Sequence, residues 1–398
     1  MISELAGNYL LKVKFGGDDV VLNPSALEEF TIVQDLDRLL PEFRMRLKDT
    51  TGDLTHTIPF DKGMSKVSVD LGKSLTEEGF NSFNFNVFRR FPESAFSATG
   101  YYEIDGLLDV KNLFSPDPCR AWNANIKNTL QSIAVDEFGI GIADVNISPS
   151  LEYKKLILQP RWSNVQLIKY LMANLVGSGG QSAFKCNVNT SSGRLRFMFR
   201  PLDELIQQKV KYKFIIADTK YQDYEPVFTW SIYDNYKILG EFAAKQQLYK
   251  YFDYETSAFT EVTVEAQDFV SLSDFMLIDG DDVGDGNMIT SNGTSNEFTQ
   301  DFAGKVKSSY QNRLNNLVMM WIDTVGLEEA HPGDVVLVLF PQGISSGNLY
   351  SYQYSGYYLI KRVILTVGDT FRSRLLLTRH GLDTDKSTSL MRANKRVS

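Results

Sequence analysis

The sequence predicts an α+β chain that is mainly β, with an α/β module set between two β-rich blocks. Three observations carry this reading. Period-2 alternation of apolar and polar residues runs through 9–108 and returns after Asn315. Helical spacing with capping signals is concentrated between the two blocks. Aromatics reach 12%, with 26 Phe and 19 Tyr, a composition that suits pleated surfaces.

In the opening block, Tyr9–Phe15 alternates as YLLKVKF. Phe30–Gln34, Phe43–Lys48, Lys66–Leu71 and Phe83–Arg89 follow at short spacing, with Phe83, Phe85 and Val87 on one face. Such strands, separated by polar turns, predict a small barrel or sandwich. The pattern changes at Asp117-Pro118, which reads as a helix start, with Trp122, Ile126, Leu130 and Ile133 as its apolar stripe. A second helix is expected from a Ser163 cap, with Val165, Ile168, Leu171, Met172 and Leu175 inward and Gly177–Gly180 as its stop. Phe184–Asn189 and Arg194–Arg200 then form a hairpin. Val210–Ile216 and Phe259–Ala266 read as strands, and 277–300 as a mobile loop rich in Gly, Asp, Asn, Ser and Thr. Four strands close the fold, at Leu317–Asp323, Asp334–Phe340, Tyr357–Val367 and Ser373–Arg379.

The chain has 398 residues, enough for two to four domains and a core that needs no metal or disulfide. Its net charge is −8 and its pI about 5.1, which argues against generic nucleic-acid binding. Cys119 and Cys186 are too few for a disulfide scaffold and are expected as free thiols in a reducing cytosol. Met1–Leu10 lacks a signal-peptide pattern, and no run of 18 apolar residues occurs, so no membrane insertion is expected.

Catalytic constellations are sparse. His56, His331 and His380 are far apart, no GxSxG occurs, and His331-Pro332-Gly333-Asp334 reads as a turn. The acidic run Asp279–Asn287 has oxygen ligands at alternate positions, but Val283 and Thr290 stand where an EF-hand needs an oxygen and a Glu. It is expected to be a solvated loop. Glu77-Glu78 and Glu328-Glu329 carry no facing geometry in sequence. Lys154-Lys155, Arg194/Arg196 and Lys211/Lys213 read as solvated basic faces. No catalytic, cofactor or metal residues are assigned. Tyr350, Tyr352, Tyr354, Tyr357 and Tyr358 crowd one segment, which is either a protein contact or a hairpin packed on its own sheet. With Lys361 and Arg362 on the following strand, Tyr350, Tyr352, Tyr354 and Tyr357 are the candidate interface residues. Charge reversal at Lys361 or Arg362 is expected to disturb assembly more than monomer folding.

The closing block, HPGDVVLVLFPQG followed by SGYYLIKRVILTVGDTFRSRLLLTRHGLD, resembles the bacteriophage baseplate central hub family, which includes the N-terminal hub part of VgrG spike proteins. The helix RWSNVQLIKYLMANLVGSGG with strands FKCNVN and RLRFMFRP is similar to that family's middle module. The resemblance implies two tail-tube-like β-barrels, at 1–108 and at 206–245 plus 311–385. It implies an α/β insertion at 109–205, a peripheral insertion at 246–310 and a flexible tail at 386–398. It further implies a homotrimeric, pseudo-sixfold ring in the virion of a contractile-tailed phage, assembled in the host cytoplasm. The ring would join the hexameric tail tube protein to the trimeric central spike protein, contact other baseplate proteins and surround a channel through which genomic DNA passes without specific binding. No enzyme activity or cofactor is implied. The competing classes are a tail-tip host-binding protein, with a groove lined by Trp122, Trp162, Trp230 or Trp321, a cell-wall-degrading hydrolase, and a hub of another contractile injection machine.

Overall fold

The computed structural model describes residues 3–5, 9–15, 20–21, 26–49, 66–72, 81–92, 100–113, 119–217, 223–234, 246–253, 257–265, 289–290, 308, 311–312, 315–341 and 354–379. The opening block holds β1 (Ser3–Leu5), β2 (Tyr9–Phe15), β3 (Val20–Val21), β4 (Leu27–Asp35), β5 (Glu42–Asp49), β6 (Lys66–Gly72), β7 (Asn81–Pro92) and β8 (Gly100–Leu108). The middle module holds β9 (Arg120–Asn125), α1 (Ile126–Ser132), β10 (Val145–Ile147), β11 (Lys154–Gln159), α2 (Asn164–Asn174), β12 (Phe184–Ser191), β13 (Arg194–Pro201) and α3 (Leu202–Ile206). The remainder holds β14 (Val210–Ile215), β15 (Val227–Asp234), β16 (Gln246–Asp253), β17 (Ala258–Glu265), β18 (Ile289–Thr290), β19 (Val318–Val325), β20 (Val335–Leu339), β21 (Gly356–Val367) and β22 (Phe371–Arg379).

The architecture is mainly β, as expected. The two β-blocks, however, are not separate sheets. They run into one curled 14-stranded sheet whose main path is β1-β2-β6-β7-β8-β5-β4-β21-β22-β19-β15. The joint is the antiparallel pair β4–β21, from Arg362↔Asp35 to Val367↔Phe30. The first half of β21 pairs along the same edge with β20 instead, from Gly356 to Leu359. Between these halves Lys361 is an extra residue against β22, a bulge that puts two half-buried residues side by side. Leu36 N–H and Gly333 N–H donate to Lys361 O and Ile360 O at 2.8 Å each, so the backbone at the crossover is satisfied. In the second lobe β14 pairs in parallel with β20, and a bridge from Phe214 to Glu225, just ahead of β15, completes the circuit of strands.

Alternation decides which face is core. In β5, Phe43, Met45 and Leu47 are buried while Arg44 and Arg46 face out. Phe43 packs on Phe30 at 5.9 Å and on Phe85 at 4.5 Å between ring centroids. Burying a phenylalanine stabilises by about 1.5–3 kcal/mol, and this aromatic cluster anchors the first lobe.

The middle module corrects one expectation. Residues 120–125 form a strand, not a helix, and pair with Lys154–Gln159 as a two-stranded ribbon. The helix starts at Ile126, capped by Asn125, whose side chain accepts from Lys127 N–H. The second helix starts as expected: Ser163 and Gln166 form a reciprocal capping box. The hairpin β12–β13 turns on Ser192 (φ 49°) and Gly193 (φ 73°), the two left-handed residues of a primed turn. All eight residues of β12 are buried. The strand lies deep in the fold, and Val188 N–H donates to Leu39 O at 2.7 Å. Among the described residues, no helix is long and apolar enough to cross a membrane.

Candidate assembly site

Of the six candidate interface residues, Tyr350 and Tyr352 lie outside the described residues, as do His56, His380, Glu77-Glu78 and the acidic run 279–287. Tyr354 is half-buried, with its ring 6.0 Å from Phe340, and its carbonyl accepts from the buried Tyr358 hydroxyl at 2.7 Å. Arg379 stacks over Tyr358 at 5.4 Å. Tyr357 is half-buried against a satellite cluster of Leu36, Leu202, Leu205, Val335 and Leu359. This part of the tyrosine run therefore packs on its own sheet, one of the two readings the sequence left open.

Lys361 and Arg362 are engaged within the chain. Arg362 meets Asp35 Oδ2 through Nε at 2.6 Å and through a terminal nitrogen at 2.5 Å. Lys361 donates to Asn316 Oδ1 at 2.8 Å and lies 3.4 Å from Asp37. Asp37 also pairs with Lys185 of β12 at 2.5 Å. Burial pushes the Asp37 carboxyl up, but Lys185 and Lys361 outweigh it and hold the group below the usual carboxylate range. Asp35, Asp37, Lys185, Lys361 and Arg362 thus tie both lobes and the module together at the β21 bulge. Arg362 is thus engaged within the chain, by the buried Asp35 carboxylate.

A second polar cluster lies beside this seam. His331 is buried in the turn ahead of β20, where Gly333 adopts φ 95°. The turn expected there is present. A polar cleft of about 510 Å³ opens onto it, lined by Asp144, Asn189, Arg196, Lys211, His331 and Asp334 among others. Lys211 pairs with Asp334 at 2.9 Å, and Arg196 lies 3.8 Å from Asp144. Glu329 accepts from Ser191 Oγ at 2.7 Å and from Ser192 N–H at 3.2 Å. The His331 ring, followed by these donors, holds its carboxyl down to about 2 against the opposing effect of burial. The Lys211–Asp334 and Glu329–Ser191 partnerships were not visible in the sequence, because their residues stand 123 and 138 positions apart.

Among the described residues, no group of three or more His, Cys, Asp or Glu side chains is arranged to hold a metal. Cys119 is exposed and Cys186 buried, and neither forms a disulfide. Of the tryptophans, Trp122 donates to Gln159 at 2.9 Å, and Trp162 packs against Tyr170 with ring centroids 5.3 Å apart and the planes tilted by 49°. Trp230 is 49% exposed on β15 and meets Phe340 edge-on at 5.3 Å.

No family model and no curated protein matches the sequence. The fold does match solved structures across nearly its whole length. A 43 kDa tail protein of prophage MuSo2 from Shewanella oneidensis aligns with TM-score 0.60 at 12% identity, over 95% of this chain and 97% of that one. A tail protein from Neisseria meningitidis aligns with TM-score 0.57 at 9% identity, over 94% and 97%. The E. coli c3393 protein, a component of the type VI secretion system with structural similarity to phage T4 tail proteins, aligns with TM-score 0.51 at 10% identity, over 94% and 77%. The fold is shared with these two tail proteins and with the type VI secretion component. The mainly β architecture expected from the sequence and the family resemblance agree with it.

Proposed function

We propose that this chain is the structural hub of a phage tail baseplate. The observation that carries the reading is coverage: one alignment spans both lobes and the module, and takes in nearly all of a tail protein of similar size. In this reading three copies form a pseudo-sixfold ring, each lobe standing in for one tube subunit. The ring seats on the hexameric tail tube, holds a trimeric spike and meets other baseplate proteins in the virion, after assembly in the host cytoplasm. The net charge of −8 suits the wall of a DNA channel that must not grip its cargo. The segment bearing Tyr350, Tyr352, Tyr354 and Tyr357 contributes to the subunit contact, with Lys361 and Arg362 bracing the strand behind it. The role is mechanical and needs no cofactor. Alignment with a type VI secretion component favours a second reading, the same hub in a bacterial injection machine.

Light scattering coupled to size-exclusion chromatography tests this directly. A mass of three subunits, alone or on adding the candidate spike and tube proteins, is the expected result. A chain that remains monomeric at every concentration and with both partners overturns it.

A further inference from the structure

Both lobes and the module meet at a small crevice beside β12. Gln34 near the end of β4, Leu40 and Pro41 ahead of β5, Asn187 and Asn189 on β12, and Pro332 in the turn ahead of β20 line it. The space inside is about 10 Å³, which holds about one water molecule. The Val188 N–H bond to Leu39 O, at 2.7 Å, holds the β4–β5 connection against β12 at this point.

Three of the lining side chains are amides, and all are deeply buried: Gln34 is 2% exposed, Asn187 4% and Asn189 9%. Gln34 Nε2, Asn187 Oδ1 and Asn189 Oδ1 have no hydrogen-bond partner among the described residues. Asn187 and Asn189 stand two apart on one strand and so share a face. Asn187 Nδ2 donates to Pro332 O at 3.4 Å. A carbonyl accepts only from an N–H, so Oδ1 is the Asn187 atom left over. Gln34 Oε1 lies 3.2 Å from His331 Nδ1, which turns the other end of that amide away from the ring. A buried amide atom without a partner loses its hydration and gains nothing, which lowers the ratio of folded to unfolded chain about fivefold or more. Native folds avoid gathering three such atoms in one place.

We propose that this crevice binds one structural water molecule, which accepts from Gln34 and donates to Asn187 and Asn189.

The water bonds the first lobe to the module, and the Asn187 bond to Pro332 O carries the link into the second lobe. Other occupants fit less well. An apolar group would leave all three amide atoms unpaired. A cation would face the Gln34 N–H, and the nearby Asp35 carboxylate is already engaged by Arg362 and by Asp37 N–H. Water both donates and accepts, so the Gln34 amide can meet it in either orientation, whichever nitrogen of His331 carries the proton. Asn189 and Pro332 also line the polar cleft of about 510 Å³, so solvent stands next to the site.

A crystal structure of the full chain at about 1.8 Å reads the site. The expected result is one solvent peak about 2.7–3.2 Å from both the Gln34 amide and Asn187 Oδ1. An empty crevice overturns the proposal, and so does a peak about 2.3–2.6 Å from the oxygens, the spacing of a bound calcium ion. Gln34→Met keeps the length of the side chain and removes its amide. In that variant the peak should be lost, and the ratio of folded to unfolded chain in urea should fall about tenfold. A peak that stays in place, or a variant as stable as the native chain, overturns the proposed bridge. Should Gln34→Met fail to fold, the native density decides alone.

Discussion

Replacing Arg362 with alanine would strand the Asp35 carboxylate, whose side chain is 3% exposed, without the guanidinium that meets it at 2.5 and 2.6 Å. Removing one partner of a fully buried pair costs about 3–5 kcal/mol. Two features lower that figure. Arg362 is 35% exposed, so water can enter the gap, and Asp35 keeps a hydrogen bond from Asp37 N–H at 2.9 Å. The expected loss is about 2–3 kcal/mol. Asp35→Ala removes the buried charge and leaves Arg362, which is 35% exposed, to be solvated, and should cost about 1 kcal/mol. The double variant should then lie close to Asp35→Ala, giving a coupling of about 2 kcal/mol. Urea unfolding followed by tryptophan fluorescence and by circular dichroism measures all three, and hydrogen exchange at Val33 and Ile364 localises the effect to the β4–β21 joint. An Arg362→Ala loss below about 0.5 kcal/mol, or strict additivity, would refute the argument that this pair holds the lobes together.

Gly106→Ala should be poorly tolerated, because the new Cβ would stand 2.2 Å from the Phe43 ring and 2.6 Å from Asn86 O; a loss of about 3 kcal/mol or insoluble protein is expected in expression and melting assays. Ser163→Ala removes the capping box of α2 and should lower stability by about 1 kcal/mol in chemical denaturation. Burial raises the Asp203 carboxyl to about 6, with Gln311 partly offsetting it, so the folded state favours the protonated form. Stability tied to Asp203 should therefore rise as pH falls from about 6 toward 3.8, and Asp203→Asn should add about 1–2 kcal/mol at neutral pH, discounted for partial exposure, with little gain below about pH 4. A variant that gains equally at both pH values would count against that cause.

A strand with one wet face declares itself in sequence by alternation, as β5 does. Phe43, Met45 and Leu47 alternate with arginine and lysine because β5 has water on one side and core on the other. β8 escaped notice because Gly106 interrupts its pattern, and the structure supplies the reason: the Phe43 ring occupies the space a side chain would need. The ribbon β9–β11 was hidden differently. Trp122 and Ile126 stand four apart and mimic a helical face, yet Asn125 is the true cap and β9 exists only because Lys154–Gln159 pairs with it. The pairs at the seam could not be read at all. Gln34 and His331 are 297 positions apart, and Asp35 and Arg362 are 327 apart. Only topology brings them together. Tyr354, Tyr357 and Tyr358 were legible as a cluster but the packing of each was not, since Tyr357 and Tyr358 fall on opposite sides of a strand that has its own core to fill.

The shared strand β21 sets how force can pass through a subunit. Its first half is bonded to β20, its second half to β4, and β22 runs alongside from Leu359 to Val367. A load that pulls one lobe away from the other along this strand meets a row of hydrogen bonds in shear, which must break together, whereas a hinge would let them peel one at a time. The angle between lobes is then quantised by strand register: slipping one residue would turn every side chain of the joint to the wrong face. The β4–β21 joint therefore resists sliding as one register-locked unit.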